Sequence, residues 1–432
     1  MRKDFNAGED TAAGSAGGGS SDYPEKRRDW FVAFASLKNR NFRIFAIGSL
    51  IATTALQMQQ FTQNYLVYHL TDQATAIGYV SVALGVSMLF CSLAGGVAAD
   101  RLAKRNLLMV GQLGIGVFAL FIGVMISTGL IAVWHIVVSS LAVGIIAGFS
   151  MPARQSYVPH LVGDENLINA LSLNSGIMSM TRVIGPSLAG VVIGAFGTGP
   201  AYYIKFFGYG IFALFLLMIP IKGKAVVSAS TSVARDALDG LRYLRRDRTV
   251  LQLLIVSVIP VVLALPYVNF LPVFQRDVFL VGPTELGFMG TAQGAGAVVG
   301  ALTVASLGNY RYKGRVLVGS AMGFGAALAL FGAVAGPNTF VPSLVVLVFT
   351  GAFGTAFMAF SQALIMVITP PEMRGRVTGL FMTTFGLMPL GAMPIGMLID
   401  AYSAPLVIGC FGVATLAFFV FVTMFMPRIR NL

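Results

Sequence analysis

Long apolar runs recur along this chain with a regularity that a water-soluble fold cannot absorb. A helix needs about 18 or more predominantly apolar residues to cross the hydrocarbon core of a bilayer. About twelve such stretches can be placed, near 42–66, 77–99, 107–129, 131–151, 169–196, 202–221, 251–273, 286–307, 316–334, 341–368, 377–399 and 406–426. Only 11% of the residues are charged, against roughly 25% in soluble domains, so most of the surface must face lipid. The 50 glycines fit the same reading, because small residues let spanning helices approach closely.

Charge placement orients these spans. Basic clusters fall at Lys26–Arg28, Lys38–Arg43, Arg101–Arg105, Lys222–Arg248, Arg311–Arg315, Arg374–Arg376 and Arg428–Arg430, that is, at both ends and in every second loop. The intervening loops hold almost nothing basic beyond Arg276, with Lys205 just inside the sixth span. Excess Lys and Arg mark the cytoplasmic side, which puts both termini in the cytoplasm and demands an even number of spans. The net charge of +12 is explained without a nucleic-acid partner.

The expected organisation is a disordered cytoplasmic tail over 1–36, a six-helix bundle over 37–221, a cytoplasmic linker over 222–250 and a second six-helix bundle over 251–432. The tail is rich in Gly, Ser and charge and lacks the apolar core of a signal peptide. In the linker, Thr231 or Ser232 is a candidate N-cap. Val233, Ala237, Leu241 and Leu244 follow at helical spacing, with Arg242, Arg245, Arg246 and Arg248 beside them. A basic amphipathic helix on the inner leaflet is the expected form.

The halves repeat one another. Leu161–Leu173 and Ile368–Leu380 share a layout of polar turn, acidic residue and small-residue helix, and Glu165 and Glu372 lie 207 residues apart, each opening the fifth span of its half. Gly78 and Gly287 likewise sit near the start of the second span of each half. Duplicated halves with substrate bound between them are a signature of secondary transporters.

The sequence GGVAADRLAKR at Gly95–Arg105 closely resembles the loop motif between the second and third spans of the major facilitator superfamily. Gly96, Asp100, Arg101, Lys104 and Arg105 match, and Ala103 stands where Gly is usual. With PARQ (152–155), GLRYLRRDR (240–248) and PPEMRGRV (370–377), the likeness extends over roughly Leu37–Met426. It points to the branch containing enterobactin exporters and macrolide-efflux proteins. The resemblance implies the major facilitator fold, alternating access, a bacterial inner-membrane location, protons as coupling ion and a monomer as working form.

The loop motif has two readings. Asp100 can cap a helix amino end or pair with its basic neighbours, locking one half against the other when the cytoplasmic side closes. Otherwise it belongs to a plain positive-inside loop; the resemblance favours the gate. In the fifth span, Arg182, Gly185, Pro186, Ala189 and Gly190 resemble the antiporter motif that marks exporters, with Ala189 in place of Gly. Pro and small residues there loosen the helix and admit a close neighbour. Arg182 is a cation at mid-bilayer, costly and therefore a functional candidate; a structural partner for carbonyls or Gln side chains is the other reading.

Thr53, Gln57, Gln60 and Asn64 fall on one face of the first span. Such a stripe faces a central cavity or serves interhelical hydrogen bonds. Tyr267, Asn269, Gln293 and Gln362 are candidates for the opposite wall. No acidic residue lies deep within a span: Asp72, Asp100, Asp277, Glu285 and Asp400 all fall near ends, so no carboxylate proton carrier is visible. A cavity with Arg182 and no carboxylate suits neutral or anionic substrates.

Enzymatic readings are weak. His69, His135 and His160 give no metal-ligand spacing, Cys91 and Cys410 lie in apolar spans, and no Walker-type phosphate loop is present. No cofactor or metal is expected. The expected function is gradient-driven export of a small molecule such as a siderophore, drug or metabolite. An importer of the same fold and a non-transporting assembly or sensor protein are the alternatives.

Overall fold

The computed structural model describes residues 36–163, 166–223, 242, 244, 247–307, 312–370 and 373–430. The tail, most of the linker helix and both Glu165 and Glu372 lie outside the described residues.

The first half comprises α1 (Arg40–Thr71), α2 (Ala74–Arg101), α3 (Lys104–Ser127), α4 (Val133–Val162), α5 (Leu167–Phe196) and α6 (Gly199–Met218). The second comprises α7 (Arg248–Leu263), α8 (Pro283–Ser306), α9 (Lys313–Val334), α10 (Phe340–Ile368), α11 (Arg374–Phe385), α12 (Met388–Ala401) and α13 (Ala404–Phe425). Ten stretches among the described residues are long and apolar enough to cross a membrane. Two further crossings complete the twelve: α1, whose glutamines and threonines lower its apolar content, and the α11–α12 pair.

Two expected spans are not continuous α-helices. After α7 the chain passes through a 3-10 turn at Leu265–Phe270 and a π-helical turn at Phe274–Val278. Pro260, Pro266 and Pro272 each remove a backbone N–H from the helical ladder, which favours such irregular turns. The eleventh crossing breaks between α11 and α12 at Gly386 and Leu387, just before Pro389 in the first turn of α12. Of the linker, Leu244 is buried in the core of the second half, and the Asp247 side chain caps α7 at the amides of Thr249 and Val250.

The halves meet along two seams, α2 against α12 and α5 against α8. Glycines set the closeness. A Cβ on Gly190 would lie 2.8 Å from the Gly287 Cα, and one on Gly78 would lie 2.6 Å from the Met393 Cα. Lipid supplies no hydrophobic drive between helices, so this close backbone contact is what holds them.

The apolar cores reveal the shape. At the end carrying the turns near 72–73, 279–282 and 402–403, one core is shared by both halves and includes Leu66, Ile77, Phe270, Phe274, Phe331 and Ile395. At the opposite end there are two separate cores. Phe42, Leu108, Tyr157 and Phe212 build one from the first half alone, and Leu253, Phe357, Phe381 and Phe419 build the other from the second. The bundle is joined at one end and divided at the other.

Candidate functional site

Polar contacts bridge the halves at the joined end. The Asp400 carboxylate at the end of α12 accepts hydrogen bonds from the amides of Ala74 and Thr75 at 2.6 and 2.9 Å, and from the Thr75 hydroxyl at 2.5 Å. It therefore caps the amino end of α2 from the other half, where the helix leaves unpaired N–H groups and partial positive charge. Arg276 forms an ion pair with Asp72, and the Tyr68 hydroxyl donates to Asp277. Deeper in, the Asn64 amide donates to the Asn269 side-chain oxygen at 3.3 Å, and Ser187 and Thr291 join α5 to α8 at 2.5 Å.

Away from this end the inner faces separate. On α5, Ala189 is buried, whereas Arg182, seven residues earlier and nearly in line along the helix, is exposed. Farther along, Gly176 has nothing within 4 Å of a would-be Cβ. Toward the joined end, the motif residues carry the helix crossings. Gly185 packs on Gln57 of α1, Pro186 and Gly190 pack on α8, and a Cβ on Gly294 would meet the Arg182 carbonyl at 2.7 Å.

The expected cavity residues divide. Thr53 is buried and accepts a hydrogen bond from Arg154 of α4 at 3.1 Å, beside Ser49, which accepts from the same guanidinium. Gln57 is half-buried in the α1–α5 seam and Gln60 is exposed. Asn64 and Asn269 meet across the halves, as described. Gln293 and Gln362 are half-buried in the second half. Tyr267 is fully buried, with its hydroxyl 2.9 Å from the Thr350 hydroxyl and its ring against Phe324; it is a core residue in this conformation, not part of an open wall.

The loop motif at the divided end engages its own half. Arg105 donates to the Ile219 carbonyl at 2.7 Å, the Lys104 and Arg105 amides reach the Gly223 and Lys222 carbonyls, and Tyr157 donates to the Ile221 carbonyl at 2.6 Å. Lys104 is buried and Arg101 is exposed. Gly96 has open space at its Cβ position, and Asp100 is the penultimate residue of α2.

The four groups of the joined end, Asp72, Arg276, Asp277 and Asp400, were not among the expected site residues. Nor were Arg154 and Lys205, whose signal is a cation inside an apolar helix.

Two close helix seams around a cleft closed at one end give the architecture of a polytopic membrane protein of two six-helix halves. Solved structures agree on the fold. A nucleoside transporter, NupG, superposes with a TM-score of 0.69 at 19% identity, covering 89% of this chain and 98% of that one. A D-xylose-proton symporter does so at 0.69 and 12% identity, covering 89% and 97%. The family described as "Transmembrane secretion effector" matches residues 31–431, and the chain belongs to that family of major facilitator transporters. Among curated relatives, Macrolide efflux protein A of Streptococcus pyogenes is 23% identical over 387 residues, 88% of this chain and 91% of the relative. Enterobactin exporter EntS of Shigella boydii is 24% identical over 359 residues, 82% and 84% respectively. The protein is thus an integral multi-pass membrane protein, and its bacterial relatives fit a bacterial inner membrane.

Proposed function

We propose that this protein is a gradient-driven exporter of a small neutral or anionic molecule, working by alternating access with protons as the coupling ion. The observation that carries the reading is the apolar core shared by both halves at one end and the two separate cores at the other, the form expected of one extreme of a rocking cycle. The basic loops lie at the divided end, so the positive-inside rule makes this the state open to the cytoplasm. Substrate enters there and meets Arg182, Gln60 and neighbouring polar groups of α1. Both termini and the 222–250 linker are cytoplasmic, and the unit that rocks is a monomer of two bundles, 37–221 and 251–432.

Switching breaks the Asp400 cap and the Arg276–Asp72 pair, opening the outer end. It then brings Asp100 and Arg101 against the second half to close the inner end. The efflux activities named for both curated relatives and the glycine-proline crossing of α5 on α8 support outward transport. Among the described residues no carboxylate pairs with Arg182, which supports neutral or anionic cargo.

The test is cellular accumulation of a panel containing a catecholate siderophore, a macrolide, a cationic dye and an anionic dye, with and without the protein and a protonophore. Lower accumulation of one member, restored by the protonophore, is the expected result. Higher accumulation would reverse the direction in favour of an importer, and movement of the cationic dye alone would sink the charge assignment.

A further inference from the structure

Inside the first bundle lies a polar chamber built around a lysine. Lys205 of α6 is 4% exposed. Its ammonium donates to the Gln59 side-chain oxygen at 2.7 Å and stands 5.7 Å from the centre of the Tyr209 ring. Gln59 donates onward to Gln63 at 2.6 Å, and Gln63 to the Ser140 hydroxyl at 3.3 Å. Among the described residues no carboxylate pairs with Lys205. Arg154 of α4 likewise donates to hydroxyls, those of Ser49 and Thr53.

A charge removed from water is tolerated when it is paired or solvated by fixed groups. One amide oxygen satisfies one of the three ammonium protons. The remainder face a cavity of about 40 Å³, whose walls include Lys205, Tyr202, Gln59, Gln60, Ser139 and Ser140. Tyr202 is 2% exposed, and its hydroxyl lies beside Gln59 without a hydrogen bond of ordinary geometry. The chamber is therefore rich in donors, contains a buried lysine and, among the described residues, has no carboxylate in its walls. Its volume suits about three waters or one small ion, and excludes a drug-sized molecule.

We propose that this chamber binds a small monovalent inorganic anion, with chloride as the cellular species, held by the Lys205 ammonium and the Tyr202 and Ser140 hydroxyls. The anion supplies the missing counter-charge and ties α1, α4 and α6 together. The site does not depend on the direction or cargo of transport.

The test is the unfolding midpoint of the purified full-length protein in detergent as gluconate is replaced by chloride, bromide or sulfate at constant ionic strength. A saturable rise with chloride and bromide, but not with the larger sulfate, is expected, with one bound bromide per chain by equilibrium dialysis. Lys205→Gln should abolish the response and Lys205→Arg should keep it. Tyr202→Phe, which removes one donor, should raise the half-saturating halide concentration roughly tenfold and serves if Lys205→Gln does not fold. An indifferent wild-type protein would overturn the proposal, as would an unchanged half-saturation in the Lys205→Gln or Tyr202→Phe variant; either result would leave the chamber filled by water alone.

Discussion

Removing the Asp400 carboxylate should tilt the balance between the two ends of the transporter by a calculable amount. The carboxylate accepts three hydrogen bonds from the first turn of α2, two of them from backbone amides. Loss of an N-cap costs about 0.5–2 kcal/mol. Asp400 is exposed and Thr75 half-buried, so solvent replaces part of what is lost and about 1 kcal/mol is the appropriate figure. Because the cap joins α12 to α2 across the halves, that energy is present in the state seen here and absent once the end opens. Asp400→Ala should therefore move the ratio of the two states about fivefold toward the one closed at the basic end. Spin labels at Gly176→Cys and Gly379→Cys, in a background lacking Cys91 and Cys410, would read both populations as separate distances, since both positions have open space at Cβ. An unchanged distance distribution in the Asp400→Ala protein would refute the reasoning.

Asp100→Ala should shift the same distribution the opposite way and cut turnover, while the protein remains in the membrane at normal abundance. Gly287→Val inserts side chain where a bare Cβ already lies 2.9 Å from the Pro186 carbonyl; it should lower the unfolding midpoint by an amount equivalent to about 1–3 kcal/mol. In a double-mutant cycle on the outer-end distance populations, the exposed Arg276–Asp72 pair should show a coupling below about 1 kcal/mol that shrinks with added salt. Arg182→Gln should weaken transport of an anionic cargo more than that of a neutral one, read as the ratio of their initial rates.

Much of this fold can be read from pattern alone. Apolar runs locate the spans because a bilayer imposes a length on every crossing. Gly190 could be singled out because small residues beside a proline have few uses other than close packing, and Gly287 because it repeats Gly78 in the other half. The breaks after α7 and between α11 and α12 were less legible, since a proline inside an apolar run is compatible with either a kink or a continuous span. The gate was the hardest part. Asp72, Asp277 and Asp400 each sit at a span end, where a charge is ordinarily solvated, and nothing local says that Asp400 reaches Ala74. The stripe on α1 was partly legible. Asn64 finds Asn269 in the other half, but Gln59 and Gln63, one position away from the expected face, hold Lys205 because α6 packs on that side. Tyr267 shows the converse: a polar tip on a helix whose hydroxyl is satisfied inside its own bundle.

The central claim is that an ion gradient drives cargo outward through this cleft. The most direct measurement is uptake of the identified cargo into inside-out vesicles with an acidic lumen, before and after the gradient is collapsed. Accumulation above the outside concentration that vanishes with the gradient is the expected result. Equilibration that ignores the gradient, or movement in the opposite direction, would contradict it.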